Sequence, residues 1–412
     1  MEEGINKVAG KPAFKWLNST VLGIGLASLL SDWAHETATT VLPAFLATLG
    51  VAAMWLGLIE GVSDGLSSFA KLASGYYTDR LKRRKPVAVI GYLITALGTA
   101  SFGLATAAYH VLIARAVAWF GRGVRTPVRK ALLAAAVTPQ TYGRAFGFER
   151  MMDTIGAIAG PATAFVLLQL LHFHYPSLFA LTLIPGILAA AAIAFLVKEK
   201  ERKPVAYISF FHGVKSLPKH FKKFLAAVFL FGMGDFAPTL LILFAVGSLK
   251  ETMAPERAAT YATALYLIRN LLYAAFSMIT GYLADRFRKN LLLSIGYGLG
   301  AVMVLMIAFF PMNLLLLGII FALSGIYVAM EETLEDSFCA ELVDESNHGM
   351  AFGALATING IGDFFSSFIV GALWTAFGQK IAFIYPAILF IPGAILIYFI
   401  KPQAGEKTVA ID

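Results

Sequence analysis

The chain has 412 residues, of which 58% are hydrophobic and only 14% charged, with 33 Lys and Arg against 25 Asp and Glu. That charge content lies far below the roughly 25% of soluble globular domains, so a water-soluble enzyme or binding domain is excluded. The single cysteine, Cys339, leaves neither an internal disulfide nor a thiolate metal cluster. The net charge of +8 does not point to nucleic acid, because the basic residues form short clusters between apolar runs instead of one basic face.

In chain order, apolar stretches long enough to cross a bilayer core fall near 17–47, 54–78, 86–107, 109–132, 143–170, 177–197, 223–248, 258–282, 290–309, 313–336, 348–376 and 379–400. Backbone groups in hydrocarbon must pair within their own segment, so these twelve stretches are expected to be helices. The first carries Asp32, His35 and Glu36 near its middle, which does not read as a cleaved signal peptide. With the N-terminus inside, basic clusters at 80–85, 198–223 and 286–289 face the cytoplasm, and only Lys250, Arg257 and Lys380 lie in loops outside. The positive-inside rule then predicts an integral, multi-pass membrane protein with both termini cytoplasmic.

The chain repeats itself. Gly75-Tyr-Tyr-Thr-Asp79-Arg80 recurs as Gly281-Tyr-Leu-Ala-Asp285-Arg286, Gly143 to Gly147 recurs as Gly349 to Gly353, and Gly156 maps onto Gly362, always at an offset of 206. An even number of spans separates matching loops, so the copies are parallel repeats about an axis along the membrane normal. The predicted organisation is a six-helix unit over 1–197, a cytoplasmic linker over 198–222 and a second six-helix unit over 223–412.

The loop Gly75-x-x-x-Asp79-Arg80-x-x-Arg83-Arg84, with a degenerate copy from Gly281 through Asp285 and Arg286, resembles the signature loop of the major facilitator superfamily. The resemblance covers essentially the whole chain. It implies an all-α membrane protein of twelve transmembrane helices in two pseudo-symmetric six-helix halves, acting as a monomer by alternating access and needing no cofactor. Clustered Arg80, Arg83 and Arg84 are expected to pair with Asp79 and with carbonyls. Gly156-x-x-x-Gly160-Pro161 resembles the family's antiporter motif, although Ala164 and Phe165 stand where that pattern has a glycine pair. Arg115 fits the family's membrane-embedded arginine, with Trp119 in place of an expected glycine. Residues 56–85 also resemble a bacterial subgroup whose substrates are mostly unassigned.

Ionisable groups inside a bilayer are costly, which makes each one a functional candidate. Asp32, His35, Glu36 and Thr39 fall at i, i+3, i+4 and i+7 and share one helical face that can take up and release a proton. Asp235 is the repeat counterpart of this region and joins Asp32, His35 and Glu36 as a proton-coupling candidate. Arg115, Arg122, Arg269, Glu60, Asp64 and Asp153 are candidates for binding solute, Arg269 also as a partner for Asp32 or Asp235. A metal site from Asp32, His35 and Glu36 has too few ligands to be expected. At the 206 offset Arg125 maps onto Glu331, Arg129 onto Glu335 and Lys130 onto Asp336, three bases facing three acids. These are expected to form a cytoplasmic gate of ion pairs between the halves.

No His-Glu-x-x-His, Gly-x-x-x-x-Gly-Lys or Gly-x-Ser-x-Gly motif is present, which argues against a membrane-embedded enzyme. The expected function is secondary transport of a small solute, with proton-coupled efflux by antiport as the first reading. The alternative is a proton symporter or uniporter for an anionic metabolite or a metal chelate.

Overall fold

The computed structural model describes residues 16–50, 53–172, 174–199, 201 and 217–401, and all regular structure among them is helical. Fourteen α-helices follow in order: α1 Ser19–Thr48, α2 Ala53–Thr78, α3 Lys85–Ala100, α4 Ala108–Ala135, α5 Tyr142–Leu170, α6 Tyr175–Leu181, α7 Leu183–Leu196, α8 Lys219–Gly232, α9 Pro238–Leu249, α10 Pro255–Ala284, α11 Lys289–Phe309, α12 Leu314–Leu342, α13 His348–Phe377 and α14 Gln379–Tyr398. Their starts follow local chemistry. Asn18 turns its amide oxygen onto the N–H groups of Thr20 (2.9 Å) and Val21 (3.1 Å), and Asn313 does the same for Leu316 (2.8 Å). Proline stands in the first turn of α3, α9 and α10, where its missing N–H costs nothing. Gly378, at φ +85°, ends α13 in the left-handed region that side chains avoid.

Eight helical stretches among the described residues are long and apolar enough to cross a membrane: Lys85–Leu104, Pro139–Leu170, Tyr175–Leu196, Thr260–Ala284, Lys289–Phe309, Leu314–Leu342, Glu345–Phe377 and Gln379–Tyr398. The other four expected spans coincide with α1, α2, α4 and the pair α8–α9. Helix α4 has the length but carries Arg115, Arg122, Arg125, Arg129 and Lys130, all but Arg122 buried. The expected single span over 223–248 is broken, because α8 stops at Gly232 and Pro238 opens α9, leaving Asp235 in the gap. The expected linker lies mostly outside the described residues.

Large apolar side chains point outward, with Phe195 83%, Leu104 82% and Leu315 76% exposed. Scattered over every face, such a surface would aggregate in water and suits lipid. Charge, by contrast, goes inside. The helix pairings recur along the chain: α2 packs on α4 as α10 packs on α12, α3 on α4 as α11 on α12, and α3 on α7 as α11 on α14. The α1–α7 group meets the α8–α14 group most extensively at two crossings, α2 with α13 and α5 with α10, with smaller contacts of α4 on α13 and α5 on α12. Both main crossings depend on glycine. A Cβ on Gly75 would sit 2.3 Å from the Gly349 carbonyl oxygen, and one on Gly281 would sit 2.4 Å from that of Gly143.

Gly281→Ala is therefore expected to force α5 and α10 apart and to lower stability by about 1–3 kcal/mol. Gly298→Ala, on the open face of α11 with nothing within 4 Å, is expected to cost nothing. Thermal unfolding in detergent compares the two, and equal melting temperatures would contradict the close-packed crossing.

Candidate functional site

Residues 115, 122 and 129 of α4 are seven apart, two helical turns, and so line one face. The Arg122 guanidinium donates from Nη2 to Asp32 Oδ2 at 3.3 Å, with a second N to O approach of 3.2 Å. Arg115 donates to Thr39 Oγ1 at 3.2 Å and lies 4.2 Å from the centre of the Trp119 ring, whose centroid is 4.4 Å from that of His35. Trp119 thus occupies the expected glycine position as an aromatic platform for Arg115 and His35. Glu36 Oε1 lies 3.8 Å from His35 Nε2. Asp32, His35 and Glu36 do not converge as metal ligands, because Asp32 is engaged with Arg122 while His35 turns to Trp119 and Thr39. The side chains of Glu60 and Asp64 lie outside the described residues.

In the gap between α8 and α9, Asp235 accepts a hydrogen bond from the Tyr327 hydroxyl at 3.0 Å. Arg269, expected as a partner for Asp32 or Asp235, donates instead to Ser324 Oγ (2.9 Å) and Asn270 Oδ1 (3.0 Å). Its charge is taken up by neutral acceptors on α10 and α12.

A central cavity of about 230 Å³ lies between the two helix groups. Its basic lining is Lys71, Arg122, Arg125, Arg129, Lys130 and Arg150, all from α2, α4 and α5. Asp153 on α5 joins acids from the other group: Asp235, Glu331, Glu332, Glu335, Asp336 and Asp363. A larger apolar recess of about 410 Å³ between α3 and α4 is lined by lipid-facing side chains such as Leu97 and Ile113 and holds no comparable chemistry.

Of the three base-to-acid pairings expected across the repeat, Lys130 Nζ to Asp336 Oδ1 is made, at 2.6 Å with both groups buried. The other two are not. Arg129 bonds Glu149 (2.7 Å) and Ser28 (2.7 Å) and approaches Asp153 at 3.6 Å. Arg125 donates to Ser31 Oγ at 2.8 Å and stacks on Tyr92, 4.0 Å from the ring centre. Glu335 accepts from Tyr297 (2.5 Å) and Asn359 (2.7 Å). The reason is local: acceptors on α1 and α5 claim Arg125 and Arg129, while Lys130 lies one position further round α4. A pair absent from the expectation joins the same two groups, Arg150 Nε to Glu332 Oε2 at 2.6 Å, with Arg150 also 3.2 Å from Asp153 and 3.7 Å from Asp336. The repeat could not reveal it, because at the 206 offset Arg150 maps onto Ala356 and Glu332 onto Thr126. The only sequence signal was an intramembrane charge on each helix.

The two signature loops act reciprocally. The Asp79 carboxylate accepts from Arg84 (2.6 Å) and from the backbone N–H groups of Gly349 (3.0 Å) and Met350 (2.7 Å), at the start of α13. Asp285 accepts from the N–H groups of Gly143 (2.8 Å) and Arg144 (3.2 Å) and from Arg144 Nε (2.6 Å), at the start of α5. Each places an anion on the positive end of a helix in the other group. Of the expected basic partners of Asp79, Arg84 makes a buried ion pair with it. Arg83 pairs with the exposed Glu201 at 2.7 Å, Arg80 donates to the Tyr76 carbonyl, and Arg286 is exposed. In the antiporter-like motif, a Cβ on Gly156 would lie 2.3 Å from the Leu29 oxygen and one on Gly160 2.5 Å from Glu36 Cβ, so both glycines serve the packing of α5 on α1. Pro161 lies inside α5, and Thr37 Oγ1 bonds the preceding Gly160 carbonyl at 3.2 Å.

Residues 24–253 and 224–410 match the family model described as Major Facilitator Superfamily. A relative in Methanocaldococcus jannaschii, an uncharacterised MFS-type transporter, is 29% identical over 93% of this chain and 95% of its own. The multidrug resistance protein MdtH of Cronobacter sakazakii is 31% identical over a shorter region, 30% of this chain and 31% of its own. Among solved structures, the E. coli fucose:proton symporter FucP (N162A) has the same fold, with a TM-score of 0.74 at 16% identity over 93% of this chain and 99% of that one.

Lys130→Met leaves Asp336 buried with only the distant Arg150 guanidinium and is expected to lower stability by about 3–5 kcal/mol. Combined with Asp336→Leu, the loss is expected to shrink to less than the sum of the single changes. Strictly additive melting shifts in detergent would show that the two side chains do not interact.

Proposed function

Because the chain belongs to the Major Facilitator Superfamily, we propose that it is a proton-coupled symporter, carrying a small charged solute and protons in the same direction by alternating access. It is an integral multi-pass membrane transporter and not an enzyme. The observation that carries this reading is the central cavity, cationic on the α1–α7 side and acidic on the α8–α14 side, with the cross-group ion pairs Lys130–Asp336 and Arg150–Glu332. In this reading α1–α7 and α8–α14 are two halves, 1–197 and 223–412, each crossing the membrane six times. The bias of basic loops puts both termini in the cytoplasm, and the protein works as a monomer.

The ion pairs and the capped Asp79 and Asp285 then close the cytoplasmic end, and opening that end exchanges them for water. A charge pair that loses hydration on forming gains little net energy, so the two states stay near balance, as a cycling carrier requires. Asp32, His35, Glu36 and Asp235 carry the proton coupling. Asp32 and a solute anion compete for Arg122, 3.2 Å from Asp32. Protonating Asp32 frees that guanidinium for the solute, which ties proton and solute to one stroke. Glu60 and Asp64 on α2 remain solute-binding candidates, together with Arg115 and Asp153.

Symport is preferred to the efflux expected from the sequence for two reasons. The cavity of about 230 Å³ is smaller than the roughly 300–1,000 Å³ usual for drug-sized ligands, and the antiporter-like glycines have a packing role of their own. Efflux by antiport stays as the second reading, favoured by the partial likeness to MdtH.

Proteoliposomes with an inward or an outward proton gradient separate the two. Accumulation of solute driven by the inward gradient is expected, and accumulation driven only by the outward gradient would establish antiport. Asp32→Asn is expected to abolish gradient-driven accumulation while leaving solute counterflow within about threefold of the parent. Unchanged accumulation in that variant would remove Asp32 from the coupling.

A further inference from the structure

We infer that the transported solute is a zwitterion, its anionic group received by Arg122 and Arg125 and its cationic group by the acid wall around Glu331. The inference rests on the transporter reading above and names the class of solute for the same cavity.

Most of the lining cations already have partners. On the cationic wall, Arg129 is satisfied by Glu149, Lys130 by Asp336 and Arg150 by Glu332. Arg125 is different. Its side chain is 1% exposed, one nitrogen donates to the neutral Ser31 hydroxyl, and Nε and Nη1 have no acceptor among the described residues. A buried guanidinium with two unused donors and no carboxylate of its own is a strong receptor for a planar anionic group. Its charged neighbours are Arg122, Arg129 and Asp32, but Asp32 is engaged by Arg122 and Arg129 by Glu149, so no carboxylate is left in contact with Arg125 itself. Arg122, a quarter exposed, extends the same receptor into the cavity.

The opposite wall carries the reverse imbalance. Glu331 is 7% exposed, and no hydrogen bond or ion pair to it is found among the described residues. The charged groups facing it are Asp235 from the gap between α8 and α9, Glu332 and Glu335 from its own helix, and Asp363 from α13. Of these, Glu332 is paired with Arg150 and Asp363 faces Lys71, while Asp235 and Glu335 are held by neutral donors, so no cation is left in contact with Glu331 among the described residues. One wall is thus short of an anion and the other short of a cation.

Four kinds of solute can be compared against that balance. A neutral sugar would leave both imbalances in place. A carboxylate alone would quiet Arg125 and add to the negative charge facing the acid wall. An amine alone would do the opposite. A molecule carrying both groups corrects both walls at once, and its dipole is fixed by them, which gives orientation as well as affinity. Protons on the acid wall are the competing way to neutralise it, and they would make the solute a simple anion.

The test uses one carbon skeleton in four forms, 4-aminobutyrate, butyrate, butylamine and the neutral butanol, with the full chain in nanodiscs for calorimetry and in proteoliposomes for solute-induced proton movement. The zwitterion is expected to bind at least tenfold more tightly than either singly charged form and to be the form that moves protons best. Glu331→Gln is expected to bring 4-aminobutyrate down to the affinity of butyrate while leaving butyrate unchanged or improved. Arg125→Gln is expected to weaken 4-aminobutyrate and butyrate alike. Asp363→Asn gives a second probe of the acid wall should Glu331→Gln fail to fold. Tighter binding or faster transport of butyrate, butylamine or butanol would overturn the zwitterion and leave the transporter reading standing. Absence of binding by all four would overturn it too. The transporter reading is judged separately by labelling single cysteines at cavity positions from each side, and access from one side only would end both.

Discussion

Charge placed in hydrocarbon costs several kcal/mol unless it finds an opposite charge, a hydrogen-bonding shell or water. That one constraint organises the interior. Arg84, Arg125, Glu149 and Glu335 are almost entirely buried, and each is met by a carboxylate, a guanidinium, a hydroxyl, an amide or an aromatic face. The helices carrying these groups have to stand together. Leucines and phenylalanines can then face outward, since lipid asks nothing of them but apolarity.

The same constraint makes the contact between the two helix groups both specific and reversible. Apolar packing alone would slide, because one leucine surface resembles another. The carboxylates of Asp79 and Asp285 instead lock onto backbone donors at the starts of α13 and α5, where Gly349 and Gly143 let the chains approach. Lys130–Asp336 and Arg150–Glu332 add charge complementarity deeper in. These bonds replace hydration of similar strength, so they fix geometry without making separation prohibitive.

Much of this could be read directly from the residues. Helix limits followed apolar length closely, since a bilayer imposes one span length and one backbone solution. The constant 206 offset pointed to equivalent positions, and the sharing of Asp79 and Asp285 between helix groups follows that equivalence in detail. The break at Asp235 was foreshadowed by Gly232, Gly234 and Pro238 but was hidden by the apolarity on either side. Partner choice was less legible. A repeat offset reports equivalence of position, and contact is another matter. Arg125 and Arg129 therefore found Ser31 and Glu149 on nearer helices instead of Glu331 and Glu335.

What the sequence determined by itself was an all-helical membrane chain with an internal duplication and an unusual load of intramembrane charge, because length, apolarity and repetition are properties of the chain read one residue after another. What only the tertiary structure decided was which charge meets which. That outcome depends on the rotation of each helix about its own axis and on distances of a few ångströms between segments far apart in sequence, and those are set when all the helices pack together.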